Sequence, residues 1–373
     1  MSISGIDFIK KFETYCPIEL AEKGDPVGLH IGSLKKPVQR IMMTLDVRPE
    51  VVQEAIDKNI DLLIAKHPPI FRAIQRLTSD NPQTAMYLEL AKHDIAVYAA
   101  HTNMDIIDNG LNDWFCERLE IENTTYMKKT HELHMKKLEV YVPKEYAKNF
   151  REALSKIGVG QIGPNYKDCS YSVAGLGRFT PINHAHPTIG ELNQAECVEE
   201  EKIEVLFLET KLNAIMHVLN EAHPYEEPAY TLTTIENFKK PYGIGRVGNL
   251  AKPLKLSQFI DKVKEAFQIE GLRVITQSPN QRIQRVAICG GSGEKFYLDA
   301  LRHQADVYIT GDVYYHTAHD MLSSGLTVLD PGHYIETLCK KKFVELFETW
   351  KKEEKWDVEF FCSSVNTNPF QWV

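Results

Sequence analysis

Apolar residues near both ends of the chain fall into short, nearly continuous runs separated by amphipathic stretches. Residues 6–15 carry apolar positions at helical spacing, and residues 40–46, 61–65 and 95–100 read as strands buried on both faces. Pro49 opens a helix reaching about residue 59, and residues 82–93 form another. Strands alternating with helices predict an α/β layer with parallel strands.

The C-terminal part repeats this plan. A strand at 285–289 runs into the turn Gly290-Gly291-Ser292-Gly293. A helix at 295–304, a strand at 306–310, a helix at 316–323 and a strand at 326–329 follow. The stretch from His101 to Asp105 takes the place in one half that His333 to Glu336 takes in the other. This correspondence predicts a duplicated α/β core of two similar halves.

Between the halves the period changes. A strand at 138–142, a helix at 143–157, strands at 171–179 and 203–208, a helix at 211–222 and a strand at 229–235 give a βαββαβ order. That order predicts a small α+β sandwich of the split-βαβ, ferredoxin-like type, inserted into the core. The expected boundaries are 1–128 for the first half, 129–238 for the insert and 239–373 for the second half.

With 373 residues, 43% hydrophobic and 25% charged, the chain is long enough for two or three globular domains. A net charge of -8 argues against sequence-independent nucleic-acid binding, which needs clustered Lys and Arg. The first residues lack the pattern of a secretory signal, and no run of about 18 apolar residues predicts a membrane span. Seven scattered cysteines without a CxxC pair read as reduced thiols of a cytoplasmic protein.

Candidate chemistry collects where parallel α/β sheets bind ligands, beyond the carboxyl ends of the strands. His67, His101, Asp105, His333 and Glu336 all follow directly on predicted strands. Imidazole and carboxylate together suit a divalent metal, and a carboxylate such as Asp105 or Glu336 can bridge two ions. His333 and Glu336 lie three apart at a helix start, so both can face one point. His101 is placed equally well to ligate or to support a ligand by hydrogen bonding. Lys66 is a candidate to anchor a phosphate or carboxylate beside the metal, against the bland reading of a solvated lysine. Asp46, at the end of its strand, is placed to orient a ligand or a water, or to cap a helix. The glycine turn at 290–293 reads as a tight turn ahead of a phosphate cradle, and His223-Pro224-Tyr225-Glu226-Glu227-Pro228 as a rigid strand entry ahead of a ligand set.

Gly24-Asp-Pro-Val-Gly-Leu29, Thr44-Leu-Asp46, Ala65-Lys-His-Pro-Pro-Ile-Phe71, His101-Thr-Asn-Met-Asp105, Gly243-Ile-Gly-Arg-Val-Gly248, Thr310-Gly-Asp312 and Gly332-His-Tyr-Ile-Glu336 together resemble the GTP cyclohydrolase I type 2 family, the NGG-interacting-factor-like proteins. The motifs occur in family order over most of 1–128 and 239–373. The middle segment resembles the PII/CutA-like insert of the longer bacterial members. The resemblance implies a dinuclear metal site, with His67, Asp105, His333 and Glu336 matching the ligands, and a toroidal homohexamer. The family motif has two consecutive histidines where this chain has Lys66-His67, so one or two ions per chain are expected. Zn is the first choice, ahead of Mn, Fe or Mg. The implied activity is opening of the guanine imidazole ring of GTP with loss of formate. His101 and Asp46 are the candidates for proton transfer there, and Lys66 for holding phosphates. A phosphoesterase on another small nucleotide and a non-catalytic metal-binding scaffold or regulator are the competing readings.

Overall fold

The computed structural model describes residues 3–163 and 165–372. The chain forms two compact units, Met1–His131 with Tyr242–Val373, and Glu132–Pro241.

The first unit begins with β1 (Ile3–Ser4) and α1 (Gly5–Tyr15), where Ser4 Oγ accepts from the Asp7 N–H and caps the helix. Next come β2 (Gly28–Ile31), β3 (Pro37–Val38, paired with β1) and β4 (Arg40–Thr44). Then α2 (Pro49–Asp57), β5 (Leu62–Ala65), α3 (Pro82–Lys92), β6 (Ala96–Ala99), α4 (Thr102–Ile106) and α5 (Leu111–Leu119) alternate. Proline in the first turn of α2 and α3 occupies positions whose N–H has no intrahelical partner.

The long strand β7 (Ile121–Pro143) leads out of this unit. The second unit adds α6 (Ala147–Lys156), β8 (Tyr171–Phe179), β9 (Glu196–Leu208) and α7 (Leu212–Ala222), and β10 (Tyr230–Lys255) returns to the first. There follow α8 (Leu256–Phe267), β11 (Arg273–Ile275), β12 (Arg282–Ile288), α9 (Tyr297–Arg302), β13 (Val307–Ile309), α10 (Tyr315–Ser323), β14 (Thr327–Asp330), α11 (Leu338–Glu354) and β15 (Glu359–Cys362).

The first sheet runs β15–β4–β5–β6–β2, all parallel except for β2, which is antiparallel to β6. Leu62, Leu63 and Ile64 are wholly buried, because helices cover both faces. Met42, Leu63 and Val97 pack with Val51, Val52 and Ala55 of α2 and with Met86, Tyr87 and Leu90 of α3. On the opposite face Tyr98 meets Phe12 edge-on at 5.9 Å, and Phe8 and Phe12 pack on Phe343 and Phe347 of α11. Each such buried ring or aliphatic side chain contributes roughly 1.5–3 kcal/mol. Through α11 and β15 the C-terminal residues thus complete a sheet begun by the N-terminal ones. In the second sheet of this unit, ordered β11–β14–β13–β12–β10, the strands β12, β13 and β14 are parallel, while β11 and β10 run antiparallel to their neighbours.

In the second unit the strand order is β10–β7–β9–β8, with β7 and β8 both antiparallel to β9. Its core joins Leu138, Val140, Ile203 and Val205 to Phe150 and Leu154 of α6 and to Ile215 and Leu219 of α7.

The fold is α/β with mixed sheets, so the expected parallel layer is corrected at its edges, where β2, β11 and β10 run antiparallel. The strands expected at 138–142 and 229–235 are parts of the longer β7 and β10. Residues 121–137 are mostly polar, with only scattered buried positions such as Met127 and Leu133, which leaves little alternation to read. The helix expected from 295 begins as a 3-10 turn, Glu294–Phe296. The four residues of β15 are too few for a periodic signal. Among the described residues no helix is long and apolar enough to cross a membrane.

Candidate metal centre

The carboxyl ends of the parallel strands deliver the polar residues to one place. β4 ends two residues before Asp46, β5 runs directly into Lys66 and His67, and β6 is followed by His101 and by α4, which carries Asp105. From the second sheet, β13 leads to Asp312, and β14 leads to His333 and Glu336 in the 3-10 turn His333–Thr337. This turn, just before α11, replaces the helix start expected there.

Three side chains converge. His67 Nε2 lies 3.0 Å from Glu336 Oε2, and His333 Nε2 lies 3.5 Å from the same oxygen. A ligand atom from each of His67, His333 and Glu336 falls within 4.8 Å of the others. Each imidazole is held from behind. His67 Nδ1–H donates to Asp46 Oδ1 at 2.7 Å, and His333 Nδ1–H donates to Asp312 Oδ2 at 2.6 Å. A carboxylate on Nδ1 fixes the tautomer and aims Nε2 inward, which is how metal-ligating histidines are oriented. In both pairs the aspartate lies 21 residues before the histidine.

His101 is held in the same way. Its Nδ1 lies 2.7 Å from Asp25 Oδ1, and Asp25 also accepts from the Thr102 N–H and hydroxyl. The His101 ring stands 5.7 Å from that of His67, beside the convergent group and outside it. Asp105 likewise lies outside that group. Its Oδ2 is 3.0 Å from Lys66 Nζ.

Lys66 is only 1% exposed, and its ammonium also approaches Glu336 Oε2 at 3.3 Å. It is therefore not a solvated lysine. Its charge is directed at the site's own carboxylates, Asp105 and Glu336. Burial alone would lower the Lys66 pKa, but Asp105 and Glu336 outweigh it and keep the ammonium charged. Burial raises the Glu336 pKa, and Lys66 with the two imidazoles more than offsets this, holding the carboxylate well below its usual range. Burial likewise works against the charged form of His333, yet hydrogen bonds to Asp312 and Glu336 carry its pKa up to about 10.

The donor set fits a cation. Asp105 Oδ1 and Glu336 Oε1 are buried and have no hydrogen-bond partner among the described residues. An unsatisfied buried acceptor of this kind costs roughly 1–3 kcal/mol, and more when charged. Two imidazole nitrogens beside orphaned carboxylate oxygens form an N/O environment suited to Zn or a similar divalent ion.

The glycine turn packs closely against Glu336 and the core. A Cβ on Gly290 would lie 3.1 Å from Glu336 Oε1 and 2.9 Å from the Phe115 ring. The Gly290 N–H donates to Asn112 Oδ1, and Asn112 Nδ2 donates to the Asp105 carbonyl, tying the turn to α4. The Gly293 N–H is taken by Thr310 Oγ1. These contacts give the turn a packing role. In the second unit His223 spends both ring nitrogens on backbone: Nε2–H donates to the Tyr141 carbonyl, and Nδ1 accepts from the Tyr225 N–H. Asp25, Asp312 and Asn112 were not picked out as site residues by sequence reasoning. The aspartate 21 residues before each of His67 and His333 was the available signal for Asp312.

Two aspartate-braced imidazoles and a buried glutamate at the strand ends of an α/β core define a metal-binding class of protein. The chain belongs to the Duf34/NIF3 (NGG1p interacting factor 3) family, whose match spans residues 3–369. It is 41% identical over 372 residues to a Bacillus subtilis (strain 168) protein named GTP cyclohydrolase 1 type 2 homolog, covering 100% of this chain and 99% of that one. A Listeria innocua protein of the same name is 43% identical over 369 residues, covering 99% of each chain. Among solved structures, a Bacillus cereus protein related to NIF3 superposes with a TM-score of 0.82 at 37% identity, covering 100% of this chain and 99% of that one.

Proposed function

We propose that the chain is a divalent-metal-dependent hydrolase acting on GTP or another small nucleotide, with His67, His333 and Glu336 as ligands and Asp105 beside them. The observation that carries this reading is the convergence of two Asp-braced Nε2 atoms on one oxygen of Glu336. A divalent ion held there supplies Lewis acidity, and Zn suits the donor set ahead of Mn, Fe or Mg. His101, braced by Asp25 and adjacent to His67, is the residue placed to move a proton. Asp46 is occupied by His67 and the Thr367 hydroxyl, which suits positioning His67 better than proton transfer. GTP as substrate rests on the names of the relatives. Incubation of zinc-loaded protein with GTP, with formate and a fluorescent pterin product as readouts, tests it. Unchanged GTP alongside turnover of another nucleotide would move the substrate and keep the hydrolase.

A non-catalytic metal-binding scaffold is the second reading, favoured by the Lys66 ammonium among the carboxylates. Asp105→Ala discriminates, since an enzyme loses turnover while a scaffold that still assembles keeps its partners.

The equal 21-residue spacing of the two Asp–His pairs supports a duplicated core with halves at 1–128 and 239–373. The strand order β10–β7–β9–β8 with two helices supports an inserted ferredoxin-like, PII/CutA-like module at 129–238. A cytoplasmic homohexamer completes the reading, and sedimentation velocity tests the assembly.

A further inference from the structure

The residue before His67 carries its own consequence. Lysine is rarely buried without partners, and a protonated lysine has donors only, so it cannot ligate a metal. Lys66 is 1% exposed, and its Nζ lies 3.0 Å from Asp105 Oδ2 and 3.3 Å from Glu336 Oε2. Asp105 is 7% exposed and Glu336 0%. The ammonium thus bridges two buried carboxylates and supplies the positive charge that such a pair needs.

The backbone leaves it little freedom. The Lys66 N–H donates to the Thr44 carbonyl at 3.0 Å and the His67 N–H to the Leu45 carbonyl at 2.8 Å, so both residues continue the β4–β5 ladder. Glu336 Oε2 is thereby shared between the Lys66 ammonium at 3.3 Å and His67 Nε2 at 3.0 Å. A metal ion on His67, His333 and Glu336 would sit beside one fixed positive charge. A second ion between Asp105 and Glu336 would have to displace that charge or be repelled by it.

We propose that Lys66 is a built-in second cation, occupying the place of a second metal ion between Asp105 and Glu336, so that each chain holds one divalent ion. The inference rests on the reading of His67, His333 and Glu336 as a metal site.

Native mass spectrometry of the zinc-saturated full chain, wild type beside Lys66→His, tests it. One zinc per chain is expected for the wild type and two for Lys66→His, whose imidazole removes the fixed charge and adds a ligand. Two zinc ions on the wild type would overturn the inference and leave the metal site standing. A folded Lys66→His that still holds one would overturn it as well. Should Lys66→His fail to fold, zinc anomalous scattering from wild-type crystals decides: one peak at His67, His333 and Glu336 supports the inference, and a second peak at Asp105 refutes it. Wild type without zinc would remove the metal reading beneath it.

Discussion

Replacing Asp312 by Asn isolates the bracing of His333. The Asp312 carboxylate accepts from His333 Nδ1–H at 2.6 Å and from the Ser292 hydroxyl at 2.8 Å. Asp312 has a φ of 55°, a left-handed conformation that Asn tolerates, so the backbone is kept. The substitution removes the negative charge that stabilises the His333 ring as a ligand while preserving shape. Loss of such a supporting carboxylate typically weakens metal binding about 10- to 100-fold. That corresponds to about 1.4–2.8 kcal/mol. The effect on folding is small, because Asp312 is half-exposed. Zinc affinity measured by competition with a chromophoric chelator should fall by that factor, while the melting temperature of the metal-free protein changes little. Affinity within twofold of wild type would refute the assignment of His333 as a braced ligand. Ser292→Ala, which keeps the carboxylate, should bind zinc much as the wild type does.

Arg246→Met should cost about 3–5 kcal/mol in chemical denaturation, because it strands Asp113 and the carbonyls of Gly243, Gly245 and Ile107, all of which the buried guanidinium holds. Gly290→Ala should weaken both folding and zinc binding, since its Cβ would press on the buried Phe115 ring and on Glu336 Oε1; unchanged melting temperature and zinc affinity would refute the tight packing of this turn. For Glu54, burial raises the pKa, but hydrogen bonds from Lys58, Ser363 and Ser364 outweigh it and hold the carboxyl at about 2. A folded-state pKa below the unfolded one contributes stability that is complete above about pH 4.5 and is lost as pH falls towards 2. The melting difference between wild type and Glu54→Gln should therefore be largest near neutral pH and close as pH drops from 4.5 to 2.

The strands 61–65 and 95–100 were legible because helices cover both faces and make them continuously apolar. Their polar ends marked His67 and His101 for the same reason. His333 and Glu336 were legible as a pair three residues apart after a strand. The partners of Lys66 were not legible, because a sequence shows a charge without what surrounds it. Only the packing of α4 and the 3-10 turn reveals that Asp105 and Glu336 surround it. Asp25 escaped notice as the brace of His101 because its loop lies 76 residues away in the chain. The edge strands β11 and β15 and the first part of β7 carry too little apolar alternation to be read, and the sheets are mixed because β2, β11 and β10 run antiparallel to their neighbours.

Equilibrium dialysis against zinc, wild type beside His333→Ala, tests the central claim most directly. The account predicts tightly retained zinc on the wild type and its loss from a His333→Ala protein that remains folded. Equal zinc on both proteins, or none on either after loading, would contradict the metal centre of His67, His333 and Glu336.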